Sequence, residues 1–229
     1  MNLALIVAGG SGSRMGADLP KQYLDLAGRP ILCHAVAAFS DVGEIDAICI
    51  VCHSDYLSHV QDMLSCYPKA RYFAPAGHTR RDSVYSGLRS LVDVLSPEDI
   101  VLIHDAARPF VSPALIRENI RAALDTGACI TACPAQDTIV EAKGKEVDRV
   151  LNRSALYQVQ TPQSFRYGTI LQANQAYDAL DHPPAVTDDG SLVLLAGGRV
   201  TVVPGEKQNM KITTPEDLLW AEFLLAQKN

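Results

Sequence analysis

The sequence predicts an α/β fold, a Rossmann-like, mostly parallel twisted sheet with helices on both faces. Three observations lead there. Short apolar runs alternate with segments of helical spacing, the β-α-β-α order of a parallel sheet. A chain of 229 residues that is 48% hydrophobic can bury a full core. The first apolar run turns directly into a glycine-rich loop, and ligands of such sheets bind beyond the carboxyl ends of the strands. One domain spanning residues 1–229 is expected, with a small appendage, a protruding β-hairpin arm at about 136–158.

In chain order, Leu3–Ala8, Ala47–Cys52, a shorter Arg71–Ala74, Ile100–His104 and Cys129–Cys133 read as buried strands. Pro30–Ser40, Asp55–Ser65, Asp82–Val94 and Pro113–Asp125 carry helical spacing between them. Pro30 and Pro113 suit a first helical position, and Ser112 suits the N-cap before Pro113. After Pro134 the pattern changes. Thr138–Ala142 and Glu146–Val150 flank Lys143-Gly144-Lys145 as a hairpin with a glycine-containing turn. It has few apolar residues, so it needs something to pack on, and a partner subunit is one candidate. Tyr167–Leu180 reads as a further helix and Thr187-Asp188-Asp189 as an acidic turn. Thr214 would cap the last helix, with Pro215 and then acids in its first turn.

Composition narrows the function. The formal charge of −6 argues against a broad nucleic-acid surface while leaving room for a local basic pocket. No apolar run approaches the roughly 20 residues of a membrane span, and the first strand has no basic segment before it, so no signal peptide is expected. The six cysteines show no metal or disulfide framework. Cys49 and Cys52 would point to opposite faces of a strand, and Cys129 and Cys133 sit in a similar apolar run. Small core thiols in a reducing, cytoplasmic setting are the expectation.

The glycine loop, Gly9-Gly10-Ser11-Gly12-Ser13-Arg14-Met15-Gly16, has the parts of a phosphate grip. Glycines let backbone N–H groups approach an anion, and Arg14 and Lys21 supply charge where a phosphoryl group would carry it. A dinucleotide fingerprint matches weakly: the spacing is GxGxxxG, and the acid expected about 20 residues on is missing. Walker A fails because no Gly-Lys-Ser/Thr follows. A tight turn with two surface cations remains open. His104-Asp105-Ala106-Ala107-Arg108-Pro109 ends another strand, where Asp105 is placed either to hold Mg²⁺ or to pair with Arg108. His104 reads as a structural histidine. Gly77-His78-Thr79-Arg80-Arg81-Asp82-Ser83 either contacts a base or ribose or is a solvated loop; His78, Arg80 and Arg81 are expected to be exposed. Arg153, Thr161, Thr187 and Lys211 are grouped by no spacing rule. No nucleophile–base pair is legible.

These segments together resemble the 2-C-methyl-D-erythritol 4-phosphate cytidylyltransferase family over essentially the whole chain. The resemblance rests on Ala8–Gly16 with Pro20–Tyr23, on Arg81–Val84 and on His104–Pro109. It continues through Gln160–Gln163, Thr187–Asp189 and Asn209–Thr213. It implies a nucleotidyltransferase that moves CMP from CTP onto a polyol phosphate, with Mg²⁺ as cofactor. Gly10, Gly12, Gly77 and Ser83 would line the CTP site. Arg14 and Lys21 would stabilise charge on the α-phosphoryl group, and Asp105 would hold the metal. Arg153 and Lys211 would position the acceptor, with Arg108, Thr138, Thr161 and Thr187 completing that pocket. The arm would cross to a second subunit of a homodimer and carry Thr138 and Arg153 into the partner's site. Gly190 departs from the family's small residue such as alanine, and is expected to loosen its turn; the cyclodiphosphate synthase domain fused to some relatives is not expected. A ribitol 5-phosphate cytidylyltransferase is the nearest rival reading. A non-catalytic nucleotide-binding module and a nicotinamide-dependent oxidoreductase are the other classes.

Overall fold

The computed structural model describes residues 1–10 and 19–227. The chain runs β1 (Asn2–Ala8), β2 (Asp25–Leu26), β3 (Arg29–Pro30), α1 (Ile31–Ser40), β4 (Ala47–Cys52), α2 (Leu57–Met63), β5 (Ala70–Pro75), α3 (Arg80–Ser90), β6 (Ile100–Asp105), α4 (Pro113–Thr126) and β7 (Ala128–Pro134). It continues with β8 (Val140–Lys143), β9 (Glu146–Val150), β10 (Tyr157–Arg166), α5 (Tyr167–Asp178), α6 (Asp189–Leu195), β11 (Thr201–Pro204) and α7 (Pro215–Ala226).

Seven strands form one sheet in the order β11-β7-β10-β6-β1-β4-β5. All neighbours are parallel except β10, which runs antiparallel to both β6 and β7. The helices cover both faces, as expected. Leu32, Val36, Phe39, Val60, Ile116 and Ile120, from α1, α2 and α4, pack on one face. Val84, Leu88, Ile170 and Leu192, from α3, α5 and α6, pack on the other. β4, Ala47-Ile48-Cys49-Ile50-Val51-Cys52, is buried throughout because it lies between two such layers. Cys49 joins the second layer and Cys52 the first, so the CxxC spacing does not make a metal site. Cys66 is exposed, unlike the core thiols expected.

Caps set the helix boundaries. Ser112 accepts from Leu115 N–H with Pro113 at the first position of α4, as expected. Thr214 and Asp217 form a capping box on α7. Pro30, however, precedes α1 rather than beginning it, because it is paired in the β2–β3 ribbon. α3 begins at Arg80, two residues before the expected start, because Thr79 is its N-cap.

The sequence reading missed β10, β11 and α6. β10 is unpromising by hydrophobic pattern, with Pro162 in a central strand. The register shift between Gln160 and Gln163 is where the ladder tolerates it. The hairpin forms from β8 and β9 as a separate two-stranded sheet, turning at Gly144 with φ of 63°. Its second strand is exposed along its whole length.

Candidate active site

β1 sits between β4, reached through α1, and β6, reached after the chain returns from β5. This reversal opens a crevice at the carboxyl ends of β1 and β6. A cleft of about 620 Å³ lies there, lined by Gly10, Lys21, Gly77, Ser83, Asp105 and Lys211 among others.

Glycine is required at two points of its wall. A Cβ on Gly9 would stand 2.3 Å from Ala76 Cβ, and one on Gly77 would stand 2.4 Å from Asp82 Cβ. The loop after β1 therefore closes directly onto the loop after β5. Ser83 organises that second loop: its Oγ accepts from Gly77 N–H at 3.1 Å and donates to Thr79 O at 2.9 Å. Gln22 Nε2 donates to Ala8 O at 2.6 Å and Gly10 O at 3.0 Å, which fixes the exit from β1. Lys21 Nζ donates to Ile212 O at 2.8 Å and ties this wall to the segment before α7.

Asp105, the last residue of β6, is the centre of the charged cluster. Its Oδ1 accepts from Arg80 Nε at 3.0 Å, and its Oδ2 from Lys211 Nζ at 2.8 Å. Arg108 Nε stands 3.8 Å from Oδ2, so the expected Asp105–Arg108 pair is the most distant of the three. Burial alone would raise the Asp105 pKa, but Arg80, Lys211 and Arg108 outweigh it and hold the carboxyl well below its usual range. Arg80 also donates through Nη1 to Asp189 Oδ2 at 2.8 Å. Burial raises the Asp189 pKa despite that partner.

A second cavity, of about 500 Å³, opens on the other side of this cluster and is lined by Arg80, Asp105, Arg108, Thr161, Thr187 and Lys211. Thr161 Oγ1 accepts from Asp105 N–H at 3.0 Å, so β10 holds the end of β6 in place. Arg108 Nη1 donates to Asn209 O, while its buried Nε has no hydrogen-bond partner among the described residues. That nitrogen faces Asp105 Oδ2 at 3.8 Å, and Arg108 brings its positive charge to the cavity lining. His104 is fully buried. Its Nδ1 lies 3.1 Å from Thr161 Oγ1 and its Nε2 3.0 Å from Arg108 O. Burial lowers its pKa to about 4, so it is a neutral structural histidine near pH 7.

The structure thus gathers most of the residues that the sequence could not group by spacing. Gly10, Lys21, Gly77 and Ser83 line the first cleft, Arg108, Thr161 and Thr187 the second cavity, and Asp105 and Lys211 both. Thr138 and Arg153 flank the hairpin and line neither; Arg153 Nη1 donates to Gln136 O at 2.6 Å. Gly12 and Arg14 lie outside the described residues.

Two expectations are corrected. Arg80 and Arg81 are not exposed: their side chains retain 27% and 13% of their accessible surface. Arg80 turns into the cluster, whereas Arg81 pairs with Asp178 at 2.6 Å and lies over the rings of Tyr85 and Tyr177. Gly190 does not loosen its turn. A Cβ there would meet Ile130 Cγ2 at 2.8 Å, so glycine lets α6 lie close against β7. Gln22, Arg80, Gln163 and Asp189 were missed as site-building residues. Arg80 had a sequence signal, a cation in a helix's first turn, where the macrodipole disfavours it.

Among the described residues no three metal-ligating side chains cluster. A cation at Asp105 would therefore take one carboxylate and complete its shell with ligand oxygens and water. Mg²⁺ accepts that donor set beside phosphates, and the ionised, hard-oxygen Asp105 suits it, on the condition that the metal shares or displaces the Arg80 or Lys211 contact that each of its oxygens makes here.

Comparison with known proteins agrees with this geometry. The IspD family model, 2-C-methyl-D-erythritol 4-phosphate cytidylyltransferase, matches residues 2–227. An enzyme of that name from Syntrophotalea carbinolica is 42% identical over 224 residues, 96% of this chain and 94% of the relative. A ribitol-5-phosphate cytidylyltransferase from Lactiplantibacillus plantarum is 37% identical over 234 residues, covering 100% of both chains. The crystal structure of 4-diphosphocytidyl-2C-methyl-D-erythritol synthase from Anaerococcus prevotii matches with a TM-score of 0.85 at 34% identity, covering 99% of this chain and 96% of that one.

Proposed function

The chain belongs to the 2-C-methyl-D-erythritol 4-phosphate cytidylyltransferase family, and on that premise we propose that it transfers CMP from CTP to 2-C-methyl-D-erythritol 4-phosphate. The products are 4-diphosphocytidyl-2-C-methyl-D-erythritol and pyrophosphate, a step of non-mevalonate isoprenoid synthesis. One observation carries the reading: Lys21, Lys211 and Asp105 converge on a glycine-walled cleft that shares Asp105 and Lys211 with a second anion-ready cavity. Two phosphorylated ligands can then meet at that shared wall.

In this mechanism the backbone at Gly10 and Gly12, with the Gly77–Ser83 loop, receives CTP. Arg108, Thr161, Thr187 and Lys211 receive the acceptor phosphate. That phosphate is the nucleophile and is largely ionised near neutral pH, so no protein base has to remove a proton. The neutral, fully engaged His104 is consistent with that. Arg14 and Lys21 stabilise the charge that builds on the α-phosphoryl group as pyrophosphate leaves. Asp105 would hold Mg²⁺, which neutralises phosphate charge when bound. Positioning two polyanions and screening their repulsion is the main task of the site. Thr138 and Arg153 line neither cavity of their own chain; we place them in the partner's site of a homodimer, reached by the arm at about 136–158.

The test is direct. Protein, CTP, Mg²⁺ and 2-C-methyl-D-erythritol 4-phosphate are incubated and the cytidine diphosphate ester is sought by mass. Absence of product from folded protein sinks the reading. Ribitol 5-phosphate is the second acceptor to offer in competition, because the ribitol-5-phosphate enzyme matches this chain over its full length. Preferential use of ribitol 5-phosphate would replace the acceptor and leave the cytidylyl transfer intact.

A further inference from the structure

We propose that Arg80, anchored by Asp189, is a positioning residue that sets the orientation of the Asp105 carboxylate. The inference rests on the reading of Asp105 as the metal-holding group at the shared wall.

Arg80 is the first residue of α3, directly after the Thr79 cap. A cation there opposes the helix macrodipole, so helix stability does not account for it. Its guanidinium uses two different nitrogens for two different acids, Nε for Asp105 and Nη1 for Asp189. A planar fork held at two points has a fixed plane, and it fixes the carboxylate it grips. Lysine would keep the charge but could not impose that plane.

The far anchor is built for the purpose. Asp189 is the first residue of α6 and only 1% exposed. Its own N–H and that of Gly190 donate to Gln163 Oε1, both at 3.0 Å. Gln163 Nε2 reaches back to Asp188 Oδ2 at 3.2 Å. The start of α6 is thus clamped to β10, the strand whose Thr161 also holds the Asp105 backbone. Arg80 lines both cavities, and Asp189 lines neither. Asp189 does line a smaller cavity of about 300 Å³ beside Tyr177, but its one side-chain contact to the Asp105 cluster runs through Arg80.

The proposal is tested in the full-length protein with Arg80→Lys, Asp189→Asn and the double variant. With the acceptor that wild type uses, kcat should fall about tenfold or more in each single variant, while KM for CTP stays within about threefold. The double variant should fall no further than the worse single one, because both changes release the same carboxylate. Arg80→Lys should retain more activity than Arg80→Gln only if charge without the fork suffices; equal loss is expected. Acceptor-free calorimetry gives a readout independent of turnover. The Mg²⁺ concentration needed for half-maximal CTP binding should rise severalfold in both single variants, whereas CTP binding in EDTA should not change in Asp189→Asn and should weaken by less than that factor in Arg80→Lys, which lines the cleft.

A lowered melting temperature with unchanged kcat, KM and Mg²⁺ requirement would show a tether between α3 and α6 and overturn the proposal. If Asp189→Asn does not fold, Arg80→Lys alone decides by the same criteria. If wild type turns over neither acceptor, the proposed function fails separately. The Mg²⁺ titration then still decides the role of Arg80, and an unchanged requirement rejects it.

Discussion

The cleft around Asp105 and the hairpin β8–β9 handle charge in opposite ways. In the cleft, Asp105 and Asp189 are buried and meet Arg80, Lys211 and Arg108 within the same chain. On the hairpin the ion pairs Arg149–Glu141 and Lys143–Asp148 are solvated, and Val140, Val147 and Val150 are exposed by 43%, 63% and 66%. Buried pairs are expensive to break because the survivor is left uncompensated; exposed pairs contribute little. Among the described residues, the cleft's buried acids are thus compensated within one chain. The hairpin has an apolar edge that its own chain does not cover, which is why we assign it to an interface.

The largest expected effect is at the centre of the cleft. Asp105→Asn removes the carboxylate that three cations share. Turnover should fall about a thousandfold, on the scale of losing a preorganised electrostatic group. Stability should fall by about 3 kcal/mol, the low end for a broken buried pair, because Arg80 keeps Asp189 and Lys211 is partly exposed. Chemical denaturation measures the second quantity. Arg149→Ala on the hairpin should leave the unfolding midpoint of the subunit unmoved, and a comparable loss there would erase the contrast between the regions.

Next comes Lys21→Ala. Lys21 is tied to Ile212 O on the cleft wall, and a transition-state role predicts about a hundredfold loss in kcat with CTP affinity within about threefold. Equal losses in both would make Lys21 a plain binding residue. A subunit-exchange experiment then asks whether the hairpin's incompleteness is functional. Arg153→Ala and Lys21→Ala proteins are mixed. If Arg153 serves the partner's site, random reassortment into a twofold dimer restores about a quarter of the wild-type sites. No recovery despite proven exchange would confine each site to one chain.

Legibility in the sequence also divided between regions. The strands β1, β4 and β6 could be read because parallel strands buried on both faces are continuous apolar runs. β10 could not. Its buried stretch contains Thr161, Pro162, Gln163 and Ser164, and hydrophobic pattern counts these against a central strand. They are there because each polar group has a specific partner: Thr161 on Asp105, Gln163 on the start of α6, Ser164 on Asn119. α6 was hidden for the same reason, since its acidic start looks like a turn until Asp188 is seen capping it. That Gly10, Lys21 and Asp105 would share one cleft was legible, because glycines and charged residues at the carboxyl ends of parallel strands meet there. Arg80 and Asp189 were not, because their meaning lies in a contact across 109 residues of sequence.

The smallest measurable change is expected at Gly190, and it sharpens what α6 contributes to the cleft. Sequence alone suggested a glycine that relaxes the turn; the structure makes it a site of close approach, with Ile130 Cγ2 at 2.8 Å from a hypothetical Cβ. Gly190→Ala is favourable for helix propensity by about 1 kcal/mol. Overpacking opposes it by about 1–3 kcal/mol. Since the neighbour is a branched carbon on a sheet strand, it yields little, and the net should be a destabilisation of about 1 kcal/mol. The same change in an Ile130→Ala background meets only ordinary contacts, Asp188 Oδ2 at 3.5 Å and Val200 Cγ1 at 3.7 Å, so there the propensity gain should dominate and the sign should reverse. A double-mutant cycle by denaturant unfolding reads this coupling. If Gly190→Ala stabilises the protein even with Ile130 in place, α6 is free to shift on β7. A start of α6 that shifts in this way could not hold Asp189 rigidly against Arg80.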